Sequence, residues 1–262
     1  MKLLTLGNPK TAKGEARSYL TSILHLAPAR LSGYQVCPGA SRACEAGCLN
    51  TAGRGGMFAQ AGYGPMTGGE MLEAIRAGRL MNPIQAARIR KTRQFFEARS
   101  TFLAQLVKDI DGAIRKATRE GLTPVFRLNG TSDIRWETIR DAEGRTIFER
   151  FPGVQFYDYT KLTNRRDLPS NYHLTFSRSE EHSDEMLQDI LRQGINVAVV
   201  FRTNQLPETY LGHRVVNGDE TDLRFLEGSA GVVVGLKAKG KARRDQSGFV
   251  VEISSTKSHD LH

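Results

Sequence analysis

All three cysteines of the chain lie within twelve residues, as Cys37-Pro-Gly-Ala-Ser-Arg-Ala-Cys44-Glu-Ala-Gly-Cys48. The spacing is C-x6-C-x3-C, followed at once by Leu49-Asn-Thr-Ala-Gly-Arg-Gly-Gly56. Thiolates are soft ligands, and three of them in one glycine-rich loop suit an iron–sulfur cluster or zinc. An odd count so closely spaced makes a poor disulfide framework, and the plain alternative is one disulfide with a spare thiol, or three inert thiols. The gaps match no common zinc spacing and no histidine lies near them, which ranks iron–sulfur above zinc. A cluster held by three cysteines leaves one metal position without a protein thiolate, and a small molecule can bind there.

A second set of candidate residues closes a series of apolar runs. Five stretches read as strands: 123–130, 154–160, 172–178, 196–202 and 231–237. Polar groups gather at their C-terminal ends. Arg127, Asn129, Ser132 and Asp133 follow the first, Asp158 and Lys161 the second, Ser177 and Arg178 the third, Arg202 the fourth and Lys237 the fifth. Parallel α/β folds bind their ligands at the C-terminal ends of the strands, so these ten side chains are expected to form one cofactor-binding mouth. The mouth is basic, which suits a carboxylate-bearing ligand gripped by Arg. The plain alternative is that polar residues stand wherever strands leave the core.

The remaining pattern supplies the elements that would position these groups. At 262 residues the chain is long enough for one α/β barrel. Residues 30–69 are rich in glycine and read as a cluster-binding loop region. Residues 70–120 are helical, with Asn82 placed to cap and Pro83 at the first position, and Phe95, Phe102, Leu106, Ile110 and Ile114 at helical spacing. Helices are also expected around Trp136 to Phe148 and over 183–192. Asn217-Gly218 reads as a hairpin turn between two β-like runs. Strands alternating with helices make 121–253 a parallel β/α core, and the whole chain, 1–262, one α/β domain: a partial (β/α) barrel with a loop-rich N-terminal cysteine region.

Composition narrows the function classes. Apolar content of 39% and charged content of 25% describe a globular protein. No apolar run approaches the ~18 residues of a membrane span, and the N-terminus lacks a secretory apolar region, so a cytoplasmic protein without a membrane partner is expected. The net charge of +9 admits a nucleic-acid partner. The densest basic run, Arg88-Ile-Arg-Lys-Thr-Arg93, reads as one solvated helix face. No phosphate-cradling loop, no His-Glu-x-x-His and no nucleophile elbow is present.

The cysteine loop is accompanied by Leu26-Ala-Pro28, Gly53-Arg54-Gly55, Arg127-Leu-Asn-Gly-Thr-Ser-Asp133, Phe156-Tyr-Asp-Tyr-Thr-Lys161 and Gly235-Leu-Lys-Ala-Lys239. With these motifs the chain resembles the phage-encoded family called Gene product 88 over most of its length. That family is in turn distantly similar to radical S-adenosylmethionine enzymes, which hold a [4Fe-4S] cluster with three cysteines at the mouth of a partial α/β barrel. The resemblance implies a radical-SAM-like fold in a host-cell cytoplasm, with Cys37, Cys44 and Cys48 as metal ligands. It further implies an open iron that binds S-adenosylmethionine or a related small molecule for reductive, enzymatic chemistry. The loop departs from the C-x3-C-x2-C of those enzymes, and Gly68-Gly-Glu70 opens a helix instead of following a strand. Cluster binding therefore carries over more directly than radical chemistry does. The alternative from another class is a basic nucleic-acid-binding protein with a structural iron–sulfur or zinc site.

Overall fold

A computed structural model describes residues 1–6, 15–48, 50, 53–57 and 68–253. Much of the second half of the expected cysteine loop region, including Gly62 and Gly64, lies outside the described residues, as does the histidine-bearing C-terminal tail.

Ten strands form one sheet, in the order β1-β2-β3-β4-β5-β6-β9-β8-β7, with β10 (Val250–Glu252) paired to β6. The centre is a parallel series in chain order: β2 (Tyr19–Leu24), β3 (Thr123–Arg127), β4 (Gln155–Thr160), β5 (Tyr172–Ser177) and β6 (Val197–Arg202). Beyond β6 lie β9 (Val233–Lys237) and β8 (His213–Asn217), both parallel, and then β7 (Thr209–Tyr210) antiparallel to β8. On the other edge β1 (Leu4–Thr5) runs antiparallel to β2. Successive parallel neighbours in chain order are how barrel strands are arranged. Here the sheet ends at β1 and β7, so the protein is a mixed α/β fold on an open sheet, and the expected barrel is not closed.

The five expected strands are all present, trimmed by a residue or more where polar or turn residues flank them. One central strand adds to these, and one turn reading changes. Tyr19–Leu24 is a central strand whose hydroxyls, Thr21 and Ser22, are buried among apolar neighbours. Asn217-Gly218 is no hairpin turn, because β8 and β9 are parallel. Residues 218–232 instead cross over, as any connection between parallel neighbours must. A side chain at Gly218 would meet Val234 Cγ1 at 2.6 Å, so the crossover leaves β8 hard against β9.

Helices cover one face of the sheet. A short helix, α1 (Arg42–Ala46), interrupts the expected cysteine loop region, and the expected helical region resolves into α2 (Gly68–Arg76), α3 (Pro83–Glu97) and α4 (Arg99–Arg119). Asn82 caps α3 by accepting from Gln85 N at 2.9 Å, with Pro83 in the first turn. Phe102, Leu103, Leu106, Ile110, Ala113 and Ala117 form the buried stripe of α4. That stripe packs with Phe126 and Phe156 in the main core, while Val125 and Tyr157 point to the opposite face and pack with Leu223. The helix expected from Trp136 to Phe148 is a single tight turn at Trp136–Thr138 and a short α5 (Ile147–Arg150). Between them Asp141 accepts from the backbone of Glu143 and Arg145, and Gly144 takes φ 75°, a turn that helix geometry cannot contain. The capped helix over 183–192 is realised as α6 (Asp184–Arg192), with Ser183 accepting from Met186 N.

Candidate metal centre

The cysteine segment is built as a turn, a short helix and a second turn. Ala40 N donates to Cys37 O, then Ser41 Oγ accepts from Cys44 N at 3.1 Å and starts α1, and Gly47 ends it. Cys37 Sγ accepts from Ala29 N at 3.4 Å, and Cys48 Sγ from Asn50 N at 3.5 Å. None of the three is in a disulfide.

Each side of this segment is gripped by a different element. Asp133 N donates to Val36 O at 2.8 Å, joining the loop to the end of β3. Gly39 lies against Lys161 at the end of β4, where an added Cβ would stand 3.1 Å from Lys161 Cβ. Glu180, just past β5, accepts from Ser41 Oγ at 2.8 Å and Ala43 N at 3.2 Å. On the helical side Asn50 is clamped by α3: Asn50 Nδ2 donates to Gln85 Oε1, Gln85 Nε2 donates back to Asn50 O, and Arg88 Nη1 donates to Asn50 Oδ1 at 2.5 Å. The thiols therefore stand at the C-terminal ends of β3, β4 and β5.

Burial dominates their electrostatics. It pushes the Cys48 thiol up to about 11, and raises Cys37 and Cys44 as well. Cys44 and Cys48 charges raise Cys37, and Cys44 raises Cys48, so the three thiols occupy one electrostatic neighbourhood. Lys161 draws Cys44 down and Arg88 draws Cys48 down. Near neutral pH such thiols keep their protons until a metal displaces them. Among the described residues, no three His, Cys, Asp or Glu side chains close around a single ion.

Behind the thiols runs a buried network of charges. Asp133 Oδ2 accepts from Lys161 N at 2.8 Å and Thr160 Oγ1 at 3.2 Å, and Asp133 Oδ1 lies 3.3 Å from Arg165 Nη1. Arg165 also forks onto Glu137, at 2.9 and 2.5 Å, and reaches Tyr172 Oη at 3.2 Å. The Tyr172 phenol donates to Asp158 Oδ2 at 3.1 Å, and Asp158 further accepts from Leu128 N and Asn129 N. Arg127 lies 3.7 Å from Asp158 and 2.8 Å from Asp222. Burial lifts the Asp158 carboxyl to about 7 against the pull of Arg127 and the backbone donors.

Of the expected site residues, Asp133, Lys161 and Ser177 gather with the cysteines. The Lys161 ammonium is held by Ser177 O, Ser177 Oγ and Arg178 O at 2.9 to 3.1 Å, and burial lowers its pKa. Asn129 and Ser132 organise the loop after β3: Asn129 Oδ1 accepts from Ser132 Oγ, Ile134 N and Trp136 Nε1. Arg127 and Asp158 are interior ion partners. Arg178 turns toward the carbonyls of Gly248 and Phe249, Arg202 toward Glu252 and the carbonyls of Arg243 and Asp245, and Lys237 toward Asn204 O. Those three hold the C-terminal segment and the β6–β7 loop and do not join the thiols. Glu180, Arg88, Gln85 and Arg165 were not foreseen, and only the polar connection after Lys161 hinted at the last. The basic run on α3 is not one solvated face, since Arg88 serves Asn50, Lys91 donates to Leu3 O and Arg93 to Ser32 O.

An open α/β sheet with three half-buried cysteines near its C-terminal strand ends defines the class. The chain belongs to the Gene product 88 family, whose model matches residues 2–253. No curated protein and no solved structure matches it, and nothing in these comparisons supports the expected similarity to radical S-adenosylmethionine enzymes. No helix among the described residues is long and apolar enough to cross a membrane.

Proposed function

We propose that this is a phage-encoded iron–sulfur protein in which Cys37, Cys44 and Cys48 hold a [4Fe-4S] cluster with one iron open to a small molecule. The observation that carries the reading is the convergence of all three cysteines of the chain into one half-buried electrostatic neighbourhood at the C-terminal strand ends. The surroundings fit an anionic, thiolate-ligated group. Lys161 stands beside Cys44 and Arg88 beside Cys48, supplying positive charge where three thiols lose their protons. Ser41 and Glu180 fix the helix that carries Cys44, and the Asn50–Gln85–Arg88 clamp fixes the turn after Cys48. Such a cluster, when bound, supplies a redox-active Lewis acid at its open iron. The ligand expected there bears amino and carboxylate groups, with S-adenosylmethionine the leading candidate.

Anaerobic purification and reconstitution test the assignment. About four irons and four sulfides per chain are expected, together with an electron paramagnetic resonance signal on reduction. Cys44→Ala should lower iron content and change that signal, and a variant that kept a full, unaltered cluster would overturn the ligand set. Adding S-adenosylmethionine to the reduced protein should shift the resonance. An unchanged spectrum removes that ligand from the open iron.

A further inference from the structure

The sheet has a second polar surface, on the face turned away from α3, α4 and α6. Thr21 on β2, Tyr157 on β4, and His173 and Thr175 on β5 all point to it, and Tyr157 pairs with His173 and Tyr159 with Thr175 in the ladder. Thr21 Oγ1 and Tyr157 Oη are buried beside one another, and His173 Nε2 and Thr175 Oγ1 are buried without a hydrogen-bond partner. Folded proteins leave few buried polar side-chain atoms unpaired, and four buried polar groups across β2, β4 and β5, two of them without a partner, mark a place prepared for something polar. Apolar side chains would fill the same space at lower cost.

What covers this face is the β8–β9 crossover. Its residues Leu223 and Phe225 pack on Val125, Tyr157 and Tyr19, and Arg224 is fully buried against Glu227. Arg224 Nη2 donates to Thr221 O and Nη1 lies 3.3 Å from Glu227 Oε1, while Arg224 Nε and Glu227 Oε2 are buried without hydrogen bonds, so the cover leaves polar groups beneath it unmatched. One contact is well made. Asp222 Oδ2 sits 2.8 Å from Arg127 Nη1, with Tyr159 Oη 3.5 Å from the other oxygen and the Arg127 guanidinium 4.8 Å from the Tyr159 ring centre. Asp222 also lies near enough to raise the Tyr157 phenol.

We propose that this face is a binding site for a small hydroxy-carboxylate, and that the crossover fills its anion subsite with the chain's own Asp222 until the ligand displaces it. The ligand carboxylate takes the place of the Asp222 carboxylate against Arg127 and Tyr159. A hydroxyl beside that carboxylate meets Tyr157, whose phenol faces only Thr21 in the covered form. Lys161 and Ser177 continue the same strands toward the thiols, so a molecule held here is directed at the strand-end pocket.

The test removes the internal carboxylate and offers one from solution. Asp222→Ala should melt below the wild type and recover saturably with sodium acetate, but not with sodium chloride at equal ionic strength. The double variant Arg127→Met/Asp222→Ala should show no such recovery. Glycolate should bind Asp222→Ala more tightly than acetate, and Tyr157→Phe should abolish that preference. Acetate acting no better than chloride, or equally on the double variant, overturns the anion subsite; equal binding of glycolate and acetate overturns the hydroxyl contact. If Asp222→Ala does not fold, Asp222→Asn carries the same comparison. In wild-type protein, hydrogen exchange should be faster over 222–227 than over β4, and equal protection overturns displacement of the cover. Iron content measured on the same samples separates failure of this site from failure of the cluster assignment.

Discussion

Asp158 makes the stability of this protein depend on pH in a direction opposite to that of an ordinary ion-paired carboxylate. It is wholly buried, and burial lifts its carboxyl from the usual 3.8 to about 7 although Arg127, two backbone N–H groups and Tyr172 all favour the ionised form. The folded chain thus holds a proton at pH values where the unfolded chain has released it. The resulting stabilisation is complete below about pH 4 and is lost as pH rises through 7. At about 1.4 kcal/mol for each pH unit of displacement, ionised Asp158 costs the fold roughly 4 kcal/mol above pH 7. Between pH 5 and pH 8 the change is about 3 kcal/mol, because part of the loss has already occurred by pH 5. Asp158→Asn preserves the shape and an acceptor for the Asn129 N–H while removing the titration. Urea unfolding of both proteins across this window gives the comparison. The variant starts from its own baseline, so only the difference in slope matters. Wild-type stability should fall relative to the variant by about 3 kcal/mol from pH 5 to pH 8. Parallel curves, or a wild type that gains on the variant as pH rises, would rule out a protonated Asp158 in the folded chain.

Three further outcomes follow from contacts near the thiols. Arg165→Met leaves Glu137 and Asp133 buried without their cation, and should cost about 3–5 kcal/mol in urea unfolding, against under ~1 kcal/mol if the pairs were exposed. Gly130→Ala places a Cβ 2.7 Å from Leu24 O and 2.6 Å from Ile23 Cγ2, and since backbone cannot yield there it should lower stability by about 1–3 kcal/mol without altering iron content. Ser41→Ala removes both the cap of the Cys44 helix and the Glu180 contact, costing about 0.5–2 kcal/mol and speeding iron loss to a chelator; Ser41→Thr should restore slow loss.

The parts of the fold that were legible are those written in local pattern. Val197–Arg202 is almost wholly apolar and reads as a buried parallel strand, and Asn82-Pro83 announces a helix start that the structure builds. Tyr19–Leu24 is masked in the sequence because Thr21 and Ser22 interrupt its apolar run; Thr21 faces the polar surface under the crossover, and Ser22 points to the helix-covered face with Phe126. Asn217-Gly218 has the composition of a hairpin turn, but whether the next strand returns antiparallel or parallel depends on a pairing partner that local composition does not name. The cysteines announced themselves by type and spacing. Their supports did not, since Glu180, Arg165 and Gln85 look like ordinary surface residues until the chain brings Ser41, Asp133 and Asn50 to them. Arg202 and Lys237 share a sheet end with Lys161 but stand on β6 and β9, beyond the strands that meet the thiols.

The bond between Ser41 and Glu180 joins residues 139 positions apart. During synthesis the chain therefore emerges from the ribosome with its three cysteines early and one of their anchors late. Until β5 and the turn after it have left the exit tunnel, the thiol segment has its α3 clamp but lacks the carboxylate that fixes the Cys44 helix. On the proposed cluster assignment, metal delivered before Glu180 has emerged would meet a half-assembled site. A truncation ending before Glu180 should keep all three cysteines and still fail to retain iron.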